Sequence, residues 1–138
     1  MSAQQNNPHL VITLTDRPPV KIRKDDWPIL AEATDSECDS EYEFQANRTS
    51  KWALRVRQHT DGRAIVYAIY SHDSHFLQER DYHFREGDLL PATPIDELPP
   101  AIRRVGTKMA EQEHCGKDGR RWAQIINECI ADLPPLEI

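Results

Sequence analysis

An α+β fold is the expectation from this sequence: a mainly antiparallel sheet of five or six strands, with a short helix in the N-terminal half and two C-terminal helices packed on one face. Two observations carry it. Apolar residues recur with period two through most of the first ninety positions, and with the helical spacing of three and four chiefly after residue 98. Strand patterns followed by helix patterns, without alternation, argue against a parallel βαβ arrangement. The chain of 138 residues is 38% hydrophobic and 29% charged with five glycines. That composition fits one globular domain spanning 1–138, flexible only at 1–7 and 134–138, and excludes collagen-like, low-complexity and disulfide-scaffold classes.

The elements follow in order. Leu10 to Leu14 is β-branched and apolar, and Val20 to Lys24 alternates apolar with basic residues, so the two predict a hairpin around Pro18-Pro19. That proline pair, with Pro99-Pro100 and Pro134-Pro135, is expected at an element boundary. Asp25 or Asp26 is placed to cap a short helix running to about Ala33, with Trp27, Leu30 and Ala31 on its inner stripe. Five acids then occupy every second position from Asp35 to Glu43, leading into a strand pattern at Tyr42, Phe44 and Ala46. Read structurally, that acidic row is a solvated stretch that keeps a sheet edge from pairing.

Trp52–His59 and Arg63–Tyr70 flank Asp61-Gly62, the dipeptide favoured in two-residue type I′ turns. A two-residue loop would set Val56 opposite Tyr67 and Leu54 opposite Ile69. One face would then collect Trp52, Leu54, Val56, Ile65, Tyr67 and Ile69 as core. The other would collect Arg55, Arg57 and His59 with Ala64, Val66, Ala68 and Tyr70. A strand at Arg80–Arg85 ends at the turn-like Glu86-Gly87-Asp88. Ile102, Val105 and Met109 mark one helix, opened by Pro100 and weakened by Gly106. Trp122, Ile125, Ile126, Cys129 and Ile130 mark a second, capped by Asp118 and closed by Pro134.

Function is less legible. The net charge of −6 is banded along the chain, with five bases against Asp61 over 44–71 and seven acids against two arginines over 72–98. The sum opposes sequence-independent nucleic-acid binding, while the central band leaves a local basic surface. No stretch has the ~20 apolar residues of a membrane span, the start has no signal-peptide pattern, and three cysteines without CxxC spacing suit reduced thiols, so a cytoplasmic location is expected. G-x-S-x-G, G-x-G-x-x-G and P-loop patterns are all missing, and neither Ser71-His72-Asp73 nor His114-Cys115 has the converging geometry of a nucleophilic site.

The expectation is therefore a small non-catalytic interaction or regulatory module that binds a protein partner through charged surfaces, without a cofactor. An alternative is single-stranded nucleic-acid binding by Lys51, Arg55, Arg57, His59 and Tyr70, where guanidinium groups would meet phosphates and the ring would stack on a base. A third is a metal-dependent enzyme using His72, His75 and His83, ligand types that zinc accepts, although HxxH in a loop is weak spacing. Lys117, Arg120 and Arg121 stand where they oppose the dipole of the last helix.

Overall fold

The computed structural model describes residues 7–39, 48–74, 82–112 and 119–136. Its first element is the expected hairpin, β1 (His9–Leu14) and β2 (Arg17–Arg23), turned at Thr15-Asp16 with Asp16 in the left-handed region at φ 58°. The Pro18-Pro19 pair lies inside β2 rather than at its boundary, and the β1–β2 register shifts between Ile12 and Leu14, opposite it. Proline is tolerated there because β2 pairs on one side only.

The helix expected over 25–33 does not form. A single 3-10 turn, Lys24–Asp26, leads directly into strand β3 (Ile29–Asp39). Ala31 and Ala33 point every second residue into the core beneath the last helix, so these small side chains serve close sheet–helix packing. Tertiary packing overrides alanine's helix propensity. The acidic row is thus strand as far as Asp39, and the strand expected at 42–46 lies outside the described residues.

β4 (Arg48–Gln58), β5 (Ala64–Ser74) and β6 (Tyr82–Leu90) complete an antiparallel meander in the order β3-β4-β5-β6. The expected single sheet of five or six strands is therefore two sheets, one of two strands and one of four, within an architecture that remains α+β. β6 runs straight through Glu86-Gly87-Asp88, which is no turn. Gly87 is needed for another reason: a Cβ there would sit 2.3 Å from the Thr13 carbonyl oxygen, because the hairpin crosses β6 at that point. Thr15 N–H donates to the Gly87 carbonyl at 2.8 Å, and Gly87 N–H donates back to Thr15 Oγ1 at 3.3 Å.

Helices α1 (Leu98–Ala110) and α2 (Gly119–Ala131) fall where the periodicity places them. Both cover one face of the meander, burying Ile102, Val105, Met109, Trp122, Ile125 and Cys129 against Trp52, Leu54, Val56, Val66 and Tyr70. Gly106 is a point of contact rather than weakness, since a Cβ would approach Ile126 Cγ1 to 2.4 Å. The opposite face is covered in part by the hairpin, whose Ile12, Leu14 and Ile22 pack with Trp27 on Ile65 and Tyr67.

The hairpin β4–β5 forms, with a different turn. Thr60-Asp61-Gly62 is a three-residue loop: His59 N–H donates to the Arg63 carbonyl and Gly62 N–H to the His59 carbonyl, both at 2.9 Å, with Gly62 at φ +94°. Val56 therefore pairs with Val66, Leu54 with Ala68 and Trp52 with Tyr70. This is a one-residue slip from the expected register, and it exchanges the two faces of β5. Ile65, Tyr67 and Ile69 leave the helix side, and Ala64, Val66, Ala68 and Tyr70 enter it. Among the described residues no helix is long and apolar enough to cross a membrane.

Candidate ligand-binding face

Strand alternation in the observed register gives the hairpin side of the meander a defined set of side chains. β3 contributes Glu32, Thr34 and Ser36; β4 contributes Lys51, Ala53, Arg55 and Arg57; β5 contributes Ile65, Tyr67, Ile69 and Ser71; β6 contributes His83, Arg85 and Leu89. The hairpin seals the end around Ile65, Tyr67 and Leu89. The other end stays open. There a trough of about 530 Å³ is lined by Thr34, Ser36, Lys51, Ala53, Arg55, Ile69 and Ser71, with Asp35 and Trp52 of the neighbouring strand positions also reaching its wall. Its floor is the Ala53–Ile69 pair, its hydroxyls stand on β3 and β5, and its cations rise from β4.

Of the five residues expected to share a basic face, the slip removes Tyr70 alone, while Lys51, Arg55, Arg57 and His59 are placed by β4 and its end. Lys51 is exposed in the trough and makes no ion pair among the described residues. Arg55 stands on the same face of β4 beyond Ala53, half-buried, with Nε donating to Glu32 Oε1 at 2.7 Å. Burial alone would lower the Arg55 guanidinium; the hydrogen bond to Glu32 and the fields of Tyr67 and Glu32 outweigh that, so its pKa stands above the ordinary value. Arg57 is buried, with 9% of its surface exposed, and donates from Nε to the Tyr67 hydroxyl at 3.0 Å and from Nη1 to the Trp27 carbonyl at 3.1 Å.

His59 lies at the far end of β4, 5.1 Å from the Trp27 ring, and its Nδ1 accepts the Asp61 N–H at 3.1 Å. Arg63 also stands over Trp27 and holds Asp61 through Nε at 2.8 Å. Backbone and side-chain bonds from Arg63 keep the Asp61 carboxyl below its usual range. Tyr70 is on the opposite face altogether, buried between Trp52 at 5.5 Å and Phe84 at 6.2 Å. Its ring is closed to any base.

The histidines are divided in the same way. His72 takes the helix side, where its Nδ1 meets Ser50 Oγ at 2.9 Å, and His83 takes the hairpin side, 3.7 Å from Asp73. Adjacent strand positions point to opposite faces, so these two do not converge. His75 lies outside the described residues, and no group of three possible metal ligands occurs among the described ones.

Two features were misplaced by sequence reasoning. Tyr67, expected in the core beside Leu54 and Val56, is buried in the core on the hairpin side instead, where its hydroxyl meets the arginines, and the turn length sets that difference. The acids Asp35 and Glu37 are not a free row: both accept from Arg121, Glu37 at 2.7 Å, while that guanidinium lies 4.0 Å from the Trp52 ring centre. Burial would lower Arg121 and the two carboxylates raise it, so the balance is upward. A base placed against the helix dipole is thereby offset. No family model, curated protein or solved structure matches the chain.

Proposed function

We propose that this protein is a non-catalytic binding module that takes an extended acidic segment of a protein partner along the open half of its sheet. The observation that carries this reading is Lys51 and Arg55 standing over an Ala53–Ile69 floor in a trough that the hairpin leaves uncovered. Such a surface suits a peptide: carboxylates meet the cations, aliphatic groups lie on the floor, and main-chain groups reach the hydroxyls of Thr34, Ser36 and Ser71. Charges are felt over about 8 Å at physiological salt, so these local groups, rather than the net −6, govern contact.

The nucleic-acid reading loses its stacking partner, since Tyr70 is buried, and Trp52, the aromatic residue among the trough's lining, is only 3% exposed and packs into the core on the helix side. Fluorescence anisotropy compares the two directly, using a labelled peptide of alternating glutamate and alanine and an oligothymidylate of similar length. The peptide is expected to bind at low salt, to weaken as salt rises, and to lose about tenfold in affinity with Lys51→Glu. Tighter binding of the oligonucleotide, or no binding of the peptide at low salt, would overturn the proposal.

A further inference from the structure

Arg57 poses a separate question. It is a buried guanidinium, 9% exposed, with no carboxylate partner among the described residues, held only by a phenol and a backbone carbonyl. Buried charges are ordinarily paired, because an uncompensated ion out of water costs several kcal/mol. Arg55, two residues away on the same face of β4, lies about 7 Å along the strand. Tyr67 pairs directly with Arg55 across the strands, so its hydroxyl sits between the two guanidinium groups. Glu32 is bonded to Arg55 alone, which leaves two positive charges against one negative in the cluster.

The geometry points to a seat for one carboxylate formed by Arg55, Tyr67 and Arg57, between the end that the hairpin covers and the trough, whose lining Arg55 alone of the three shares. Three features define the ligand. The surplus of one positive charge matches a monoanion. Nη2 of Arg57 has no partner among the described residues and offers a planar donor of the kind that carboxylates accept. The Tyr67 oxygen already accepts from Arg57, so its own proton is available to donate. A glutamate or aspartate side chain of the bound segment would bridge the guanidinium groups and take that third hydrogen bond. This deepens the reading above and rests on it for the source of the carboxylate, while the seat itself stands on Arg57 and Tyr67, which the trough does not use.

The test is an NMR titration of the intact protein that follows the arginine Nε–H resonances. N-acetyl-glutamate α-amide supplies one carboxylate, and inorganic phosphate and chloride at matched ionic strength are the comparison anions. The carboxylate probe is expected to move the Arg55 and Arg57 resonances along one shared saturating curve. Tyr67→Phe keeps the ring and is expected to weaken that curve about tenfold, as loss of a hydrogen bond to a charged group should. An Arg57 resonance that does not move, that follows chloride as well, or that responds to phosphate alone would overturn the seat. Lys51→Glu separates the two proposals. It is expected to weaken the peptide while leaving the single-carboxylate curve in place, so failure of the trough reading and failure of the seat give different results.

Discussion

The two faces of the four-stranded sheet are closed by different means. On the helix side α1 and α2 lay continuous apolar stripes over Leu54, Val56, Val66 and Ala68, each at most 1% exposed. The hairpin side has a smaller cover, joined to β6 through Thr15 and Gly87, and beyond it the surface passes from Ile65 and Tyr67 to arginines and an open trough. One face is built for stability. The other leaves charged and hydroxyl side chains uncovered among the described residues, because a two-stranded ribbon is too short to span four strands of nine to eleven residues.

The largest effect that tests this contrast is truncation of the sheet itself. Leu54→Ala removes a fully buried side chain from the helix side and is expected to cost about 2–5 kcal/mol in urea-induced unfolding. Ile69→Ala truncates the half-buried floor of the trough and should cost less than half as much. Equal losses would mean that the trough is not open.

Next in size is the junction of hairpin and sheet. Gly87→Ala drives a methyl group into the backbone oxygen of Thr13, which cannot rotate away, with an expected cost of about 1–3 kcal/mol. Hydrogen exchange should show the hairpin's amides, beginning with Thr15 N–H in its turn, losing protection before those of β4. Gly106→Ala meets the side chain of Ile126 instead, which has rotamers to yield, and should cost less without freeing the hairpin. If both variants opened the two faces together, the hairpin would not be a separable cover.

This junction and the central turn also explain what could be read in advance. The helices were legible because Trp122, Ile125, Ile126 and Cys129 repeat at a spacing no strand shares. The β4–β5 hairpin was legible as a hairpin, but not in register. Both faces of β5 are apolar, Ile65-Tyr67-Ile69 on one and Ala64-Val66-Ala68-Tyr70 on the other, so alternation alone could not choose between them. Only the loop length could, and Asp-Gly serves a two-residue turn as readily as the end of a three-residue one. That single residue decided whether Tyr70 or Tyr67 stood beside the arginines. β3 was hidden differently, since alanines at 31 and 33 look helical until the helix that presses on them is known. Lys51 and Arg55 in the trough were legible as basic strand residues; Glu32 and Arg121 as their counterparts elsewhere were not.

A third test concerns how dry the helix side is. Burial pushes the Cys129 thiol up to about 12, with Asp132 and Glu32 adding to the rise. The thiolate thus forms more readily in the unfolded chain. The stability tied to the neutral thiol is fully present below about 9 and is lost as pH rises from there towards 12. Stability measured across that range should fall more steeply for the natural protein than for Cys129→Val, and Cys129 should resist a thiol reagent at pH 8 until the protein unfolds. Rapid labelling of the folded protein would show the helix side to be less sealed than the comparison requires.

The smallest effect lies at the rim where sealed and open regions meet. Arg121 joins α2 to β3 through Asp35 and Glu37 and covers the Trp52 ring, yet its partners are half-exposed or exposed. Exposed ion pairs contribute about 0–1 kcal/mol and an exposed cation–π contact about 0.5–1 kcal/mol, so Arg121→Ala should cost roughly 1 kcal/mol at low salt. The two contributions respond differently to conditions. Salt should weaken the carboxylate pairs and leave the stacking on Trp52, and Arg121→Lys should keep part of the charge attraction while losing the flat guanidinium contact. Urea titrations of both variants at low and high salt therefore divide the rim into its parts: a loss for Arg121→Ala that vanishes entirely in high salt would assign the whole effect to Asp35 and Glu37, and one that persists unchanged would assign it to Trp52.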